Sequence, residues 1–266
     1  MTRLDLTLPT PAENLAGDEA LLDAAESGKG GEVLRFWESR EYFVVVGYAN
    51  KVTIEVNVAA CEARGIPILR RCSGGGAVVQ GPGCLNYALV LRIAEEGPTR
   101  SISGANQFIM ERNRAALESS RHPTNLHASG LPATLSPSDG ERDGVRGERA
   151  RIETCGHTDL AIGGLKFSGN SQRRRKHFLL FHGTFLLNFD LAVVSELLLM
   201  PTKQPDYRAG RKHGEFITNL GAPAARVKPA LQRAWTANGE YSASLQPEIA
   251  RLVQQKYSTR EWNQKL

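Results

Sequence analysis

The sequence feature that most limits the fold is a run of three glycines, Gly74 to Gly76, between two apolar segments in "LRRCSGGGAVVQGPGCLNYALV" (residues 69–90). Glycine weakens a strand, because it loses the most chain entropy on folding and has no side chain to pack. The flanking segments are nevertheless rich in the apolar residues that are typical of strands. We therefore expect a neighbouring chain or a ligand to approach the bare backbone closely at this point.

The rest of the chain mixes helix and strand patterns without a regular βαβ repeat, which predicts an α+β fold with a mixed sheet. Helical patterns cover residues 12–26, 56–65, 103–118 and 190–199 and two stretches of the last 45 residues. Strand patterns cover residues 32–37, 42–48, 66–71, 85–92 and 177–187. Two further strands are predicted around Gly163-Gly164, a pair suited to a primed hairpin turn.

The chain has 266 residues, 41% of them hydrophobic, which is enough for one domain over residues 1–266 without a separate C-terminal domain. Residues 119–150 are rich in Ser, Pro, Gly and charge, and we expect a mobile surface loop there. No apolar run reaches the length of a membrane span, and the N-terminus lacks a secretory signal. The four cysteines form no CxxC pair, so we expect a cytoplasmic protein.

The formal net charge of +5 indicates an acidic partner: a nucleotide, a nucleic acid or an acidic protein surface. The basic run "RRRK" (173–176) has no aromatic-rich reader motif beside it, so nucleic-acid binding is not expected. It can equally be a solvated basic face or a contact for an acidic partner.

Two features of the sequence could bind an anion. The glycine run exposes backbone N–H groups, and Arg70 and Arg71 precede it with positive charge. Its spacing matches neither the phosphate loop GxxxxGK(S/T) nor GxGxxG, so a tight turn without a ligand is the alternative. Lys166 follows the predicted hairpin turn and could supply a mobile point charge, or it could be an ordinary solvated lysine.

Three segments in order resemble the lipoate–protein ligase family, within the wider group that includes biotin ligases and octanoyl transferases. They are "RRCSGGGAVVQGPGCLNYALV" (70–90), "DLAIGGLKFSGNSQ" (159–172) and "HGTFLLNFDL" (182–191). The likeness covers roughly residues 12–200. It implies a central, largely antiparallel mixed sheet flanked by helices, as in the class II synthetase-like catalytic domain of biotin and lipoate ligases.

The resemblance also implies a reaction. Lipoate or octanoate would react with ATP and Mg²⁺ to form an acyl-adenylate. The acyl group would then pass to a lysine of a lipoyl-carrier domain, in a 2-oxoacid dehydrogenase complex or a glycine cleavage H-like protein. Lys166 would be the catalytic residue and would hold the mixed anhydride; no metal-ligating side chain is expected.

The resemblance assigns binding roles as well. The acyl chain and acyl phosphate would be lined by Arg71, Ser73, Gly74, Gly75 and Gly76. Ala77 and Asn86 would be further substrate- or nucleotide-binding residues. The nucleotide would be surrounded by Asp159, Ser168, Gly169 and Asn170, with His182 at the border of the same pocket. Many family members have histidine where this chain has Gln80, and an amide cannot titrate near neutral pH.

Three other functions stay open. An octanoyl transferase of the same fold would use a cysteine thioester and no ATP. Cys155 lies in the right neighbourhood, although its spacing to Asp159 is shorter than that pattern, and it could instead be a packed side chain. A biotin ligase fits "RRCSGGGAV" less well, and a non-enzymatic basic binding protein would not explain three ordered segments.

Overall fold

The computed structural model describes residues 1–121 and 150–265. Their strands are β1 (Thr2–Asp5), β2 (Val33–Trp37), β3 (Phe43–Val46), β4 (Ile68–Arg70), β5 (Val78–Gln80), β6 (Cys84–Arg92), β7 (Ile152–Cys155), β8 (Asp159–Ile162), β9 (Leu165–Arg174), β10 (Phe178–Leu186) and β11 (Gly239–Glu240). Their α-helices are α1 (Pro11–Glu26), α2 (Val52–Glu55), α3 (Val58–Ala63), α4 (Ile102–Arg121), α5 (Ala192–Leu197), α6 (His213–Phe216), α7 (Ala224–Ala234), α8 (Gln246–Leu252) and α9 (Arg260–Asn263).

The larger of two sheets has eight strands in the order β11-β1-β2-β6-β10-β9-β8-β7. Within this sheet, the strands from β2 through β6, β10, β9 and β8 to β7 pair antiparallel with their neighbours. The pairs β11–β1 and β1–β2 are parallel. The central strands β6 and β10 are almost wholly buried, which accounts for their near-continuous apolar sequences. The predicted α+β class with a largely antiparallel mixed sheet is confirmed.

Helices cover both faces of this sheet. Helix α1 packs on one face with α8 and the π-helical turn Val253–Tyr257, and α4 and α7 pack on the other. Thr10 starts α1 with a capping box, in which its hydroxyl accepts from the Glu13 amide and the Glu13 carboxylate accepts from the Thr10 amide. The cavity described below lies on the α1 face.

The smaller sheet has three strands in the order β4-β3-β5. It packs with α3 and α5 around a hydrophobic core that is separate from the cores on the two faces of the large sheet. Because β4 and β5 flank β3 on opposite sides, the glycine run between them must cross the end of β3. This topology brings the glycine run over the α1 face of the large sheet.

Arg70 fastens the C-terminal helix to the end of β4. Its guanidinium is fully buried and donates to six backbone carbonyls, those of Gly47, Tyr48, Asn50, Trp262, Asn263 and Lys265. The sequence suggested that Arg70 adds charge to an anion site. That interpretation is wrong, because all of its donors are used to hold main chain.

The hairpin at Gly163-Gly164 is confirmed, and both glycines have the positive φ that a primed turn needs. Helix α4 continues to Arg121, past the expected boundary at residue 119, because Ala116, Leu117 and Ser120 are buried against the core. The remainder of the predicted loop, residues 122–149, lies outside the described residues. Among the helices that are described, none is long and apolar enough to cross a membrane.

Candidate functional site

A cavity of about 550 Å³ lies between the α1 face of the large sheet and the small sheet. One row of side chains crosses its floor. Trp37, Asn86, Thr184, Gly169 and Asp159 are successive Cα partners on β2, β6, β10, β9 and β8. Residues directly opposite each other on antiparallel strands point to the same face, so the row forms a continuous surface under the cavity.

Lys166 reaches this surface because of a β-bulge. It lies three residues before Gly169 on β9, a spacing that would put the two residues on opposite faces of a regular strand. The register shifts by one residue between Leu160 and Ala161 of the partner strand β8, which returns Lys166 to the cavity face. Its ammonium nitrogen lies 2.7 Å from Asp159 Oδ1.

Asp159 is held between two donors. Lys166 contacts one carboxylate oxygen, and the Tyr207 hydroxyl donates to the other at 2.8 Å. Burial and the Asp159 charge raise the pKa of Tyr207, so the phenol stays protonated as a donor. The Lys166 ammonium is about a quarter exposed and remains accessible from the cavity.

The glycine run forms another part of the cavity wall. Gly75 has a φ of +87°, a conformation that favours glycine. The Gly75 carbonyl also lies so close to Gly47, which follows β3, that a Cβ on Gly47 would collide with it. The Arg71 guanidinium binds the carbonyls of Gly74 and Gly76 at 2.6–3.0 Å. Gly74 to Gly76 therefore stay exposed as bare backbone, and Gly75 and Gly76 line the cavity.

Arg71 and Ala77 shape this loop from within. Arg71 is buried, and burial lowers the pKa of its guanidinium to about 10, which still leaves it charged at neutral pH. The Ala77 amide donates to the Glu55 carboxylate at 2.9 Å, which fixes the exit from the loop. Both residues line the cavity, and the Arg71 amide also donates to the Val46 carbonyl of β3 at 3.1 Å.

A buried chain of polar contacts links α1 to the loop. The Ser73 hydroxyl lies 2.6 Å from His182 Nε2, and His182 Nδ1 lies 3.0 Å from Asp18 Oδ2. Arg35 binds the other oxygen of Asp18 at 2.6 Å. With Nδ1 donating to the Asp18 carboxylate, Nε2 of a neutral imidazole accepts a hydrogen bond from the Ser73 hydroxyl. Ser73 lies outside the cavity lining and its hydroxyl is engaged by His182, so it positions the loop.

Ser168 and Asn170 are engaged with the core. Both lie at the cavity's edge, but Asn170 accepts from the Tyr87 hydroxyl at 2.6 Å and donates to Thr158 O and to Ser168 Oγ. A Cβ on Gly183, its partner on β10, would collide with the Asn170 amide. These contacts make Asn170 a clamp between β8, β9 and β6.

Cys155 ends β7 directly opposite Asp159, which extends the row by one strand. Burial, and then the charges of Glu153 and Asp159, raise the pKa of its thiol. The cysteines at 61, 72 and 84 are buried, so Cys155 is the accessible thiol in the part of the chain that is described. It lies at the rim, outside the cavity lining.

The structure brings most of the predicted residues together. The cavity is lined by Arg71, Gly75, Gly76, Ala77, Asn86, Asp159, Lys166, Ser168, Gly169, Asn170 and His182, whereas Ser73, Gly74 and Cys155 lie just outside it. Among the lining or contacting residues that sequence reasoning missed are Asp18, Trp37, Glu55, Thr184 and Tyr207. Residues 1–121 and 150–265 contain no group of three side chains able to hold a metal ion.

Comparison with known proteins gives consistent matches. A family model described as "Lipoyl protein ligase A/B catalytic domain" matches residues 10–231. Octanoyltransferase LipM of Brevibacillus brevis is 25% identical, with 96% of this chain and 95% of that protein covered. The LipM of Symbiobacterium thermophilum is 29% identical, with 94% of this chain and 93% of that protein covered. In fold, the chain is similar to Ta0514 of T. acidophilum, a putative lipoate protein ligase solved with bound lipoic acid. Their TM-score is 0.74 at 24% identity, with 100% of this chain and 99% of that one covered.

Proposed function

Because the chain belongs to the lipoyl protein ligase A/B catalytic domain family, we propose that it transfers an octanoyl group to the ε-amine of a lysine on a lipoyl-carrier domain. The observation that carries this proposal is the cavity itself. Its lining extends from Lys166 and Asp159, whose side chains are partly exposed, to the buried Trp37, with Leu15, Val45 and Val79 among its walls. An apolar slot with a cation at its partly exposed end suits an acyl chain with a reactive carbonyl.

Lys166 acts on the carbonyl end of the chain in this proposal. Its ammonium polarises the carbonyl oxygen and stabilises the negative charge that develops when a nucleophile attacks. Asp159 and Tyr207 orient the ammonium before the substrate arrives. The cavity walls hold the chain in line, which supplies the entropic advantage of an intramolecular reaction.

We further propose that the acyl donor is an octanoyl thioester. The curated relatives are named octanoyltransferases and favour this donor over the ATP-dependent activation that the sequence motifs suggested. The Cys155 thiolate would attack the thioester carbonyl, and the donor's thiolate would leave and take up a proton. The carrier lysine, as a free amine, would then attack the Cys155 thioester, forming the amide and releasing the Cys155 thiol.

ATP-dependent activation is the second candidate, and the surroundings of Cys155 favour it. Burial, together with the charges of Glu153 and Asp159, holds the pKa of the thiol above the usual value, and the thiol lies outside the cavity lining. Lys166 and the glycine loop would then hold an acyl phosphate, with His157 and Lys203 at the rim. Mg²⁺ would arrive with the nucleotide and would need no ligand cluster from the protein.

A two-donor assay tests the proposal. The protein is incubated with a lipoyl domain and either octanoyl-carrier protein without ATP, or octanoate with ATP and Mg²⁺, and octanoylated lysine is measured by mass spectrometry. We expect modification with octanoyl-carrier protein alone. Cys155→Ser should lower it at least about a thousandfold, because it removes the nucleophile. Thr154→Ala, on the same strand, is the matched control. Modification that requires ATP and survives Cys155→Ser would replace the first candidate by the second.

The pH dependence of transfer gives a separate prediction. Since the pKa of Cys155 is raised above the ordinary value of 9.0, its thiolate fraction, and with it the rate, should rise with pH through pH 9. Glu153→Gln removes a neighbouring negative charge and should move this rise to lower pH. Single-turnover rates measured across pH for the wild-type protein and for Glu153→Gln check both expectations. A plateau already reached at pH 7 would contradict the role of Cys155.

A further inference from the structure

Three polar atoms at the inner end of the cavity have no hydrogen-bond partner among the described residues. They are Trp37 Nε1, Asn86 Nδ2 and Gln80 Oε1. Their side chains are 1%, 2% and 7% exposed, and all three line the cavity. A buried donor or acceptor without a partner is rare in native proteins and destabilises the fold, so each one calls for an explanation.

The three atoms belong to one cluster. Trp37 and Asn86 are Cα partners on β2 and β6. Gln80 Nε2 donates to Thr184 Oγ1 at 3.1 Å, and that hydroxyl donates to Asn86 Oδ1 at 2.6 Å. The Thr184 hydroxyl proton is therefore used, and the second polar atom of each amide is left without a partner in the wall of the cavity.

The hydrogen-bonding character of the cluster does not depend on how the amide atoms are assigned. Exchanging oxygen and nitrogen in both Gln80 and Asn86 reverses the direction of the chain through Thr184. One amide N–H donor and one amide oxygen still remain unpaired, together with the indole N–H of Trp37. A single partner within reach of all three atoms would accept two hydrogen bonds and donate one.

The position of the cluster identifies which part of a substrate it would meet. Gly169, beside Lys166, pairs with Thr184, and Thr184 pairs with Asn86. Two strand spacings separate Gly169 from Asn86, roughly 10 Å. This distance is comparable with the extended length of an octanoyl chain, so a carbonyl at Lys166 puts the far end of the chain at the cluster.

We propose that Trp37, Gln80 and Asn86 form a polar subsite that selects acyl chains whose far end carries a hydroxyl group. This proposal rests on the acyl-transfer function proposed above. A hydroxyl oxygen accepts from the two N–H groups, and its proton is donated to the amide oxygen. A plain methyl end leaves all three atoms unpaired, and a disulfide sulfur could accept but leaves the amide oxygen without a donor.

Competition between two acyl chains tests the subsite. Octanoyl and 8-hydroxyoctanoyl thioesters are offered together to the wild-type protein with a lipoyl domain. We expect kcat/KM to be about tenfold or more higher for the hydroxylated chain, because only that chain pairs the buried polar atoms. Gln80→Met removes the amide at nearly constant volume and should bring this ratio close to one. Gln172→Met makes the same change on the opposite face of the sheet, where Gln172 contacts Asn106, and should keep the wild-type ratio.

Two results overturn the subsite: a wild-type ratio at or below one, as expected if the cluster holds only a water molecule, or a ratio that Gln80→Met leaves unchanged. Equal transfer of both chains would leave the proposed acyl transfer standing. If neither chain is transferred, the proposed function fails. The subsite is then tested by calorimetry, as the ratio of the binding affinities of 8-hydroxyoctanoate and octanoate for the same three proteins.

Discussion

Replacement of Lys166 by alanine is expected to lower the rate of acyl transfer by about a hundred- to a thousandfold. The ammonium lies 2.7 Å from Asp159, and the other lysine that lines the cavity in the part of the chain described, Lys203, is an exposed residue. Without it, the charge that develops on the carbonyl oxygen is opposed by the Asp159 carboxylate. The loss should appear in kcat more than in KM, because the contact strengthens in the transition state.

Two further variants separate the charge of Lys166 from its geometry. Lys166→Arg keeps the charge but replaces a compact ammonium by a planar fork, so we expect partial activity. Lys176→Ala removes an exposed lysine from the turn between β9 and β10 and serves as the matched control. Single-turnover transfer of octanoyl groups measures all three. Turnover by Lys166→Ala within a few-fold of the wild type would show that another group stabilises the reacting carbonyl.

Replacement of Asp18 by alanine is expected to lower the free energy of unfolding by about 3–5 kcal/mol. Arg35 and Asp18 are 1% and 2% exposed and form an ion pair, in which Arg35 Nη1 lies 2.6 Å from Asp18 Oδ1. The remaining Arg35 donors bind the carbonyls of Leu6 and Asn14 and the Asn14 side chain, so the guanidinium cannot turn to solvent. Removing Asp18 leaves a buried cation without its counter-charge and His182 without its acceptor.

Urea unfolding of three proteins measures this effect. Glu111→Ala breaks the exposed Glu111–Arg114 pair on α4 and should change stability by less than about 1 kcal/mol. The double variant Asp18→Leu/Arg35→Met removes both charges together and should recover part of the loss. An Asp18→Ala protein as stable as Glu111→Ala would contradict the assigned role of the buried pair.

Features set by local sequence could be predicted. The Gly163-Gly164 turn, the apolar strands β6 and β10 and the bare backbone of the glycine run all follow from short segments. Their conformations are fixed by neighbours along the chain: positive φ at glycine and a continuous apolar run.

Features that depend on strand register could not be predicted. Trp37 and Asp159 belong to one row only because β2, β6, β10, β9 and β8 pair in a particular order and register. The bulge that turns Lys166 into the cavity is likewise a property of the β8–β9 pair. Asp18 reaches His182 across the gap between α1 and β10, which a periodic helix pattern cannot reveal.

The basic residues also differ from their sequence-based interpretation. Arg174 donates to the carbonyls of Thr99, Arg100 and Ser101, and Arg175 pairs with Asp23 on α1. Two of the four residues of the "RRRK" run, Arg174 and Arg175, thus make contacts within the protein. A count of charges along the chain cannot separate such arginines from those that meet a partner.

A crystal structure with a non-hydrolysable octanoyl thioester analogue tests the central claim most directly. We expect the carbonyl oxygen to accept a hydrogen bond from Lys166 Nζ, and the chain to run past Gly169 and Thr184 towards Asn86 and Trp37. A chain bound elsewhere, with Lys166 still paired to Asp159 and turned away from the carbonyl, would contradict the account.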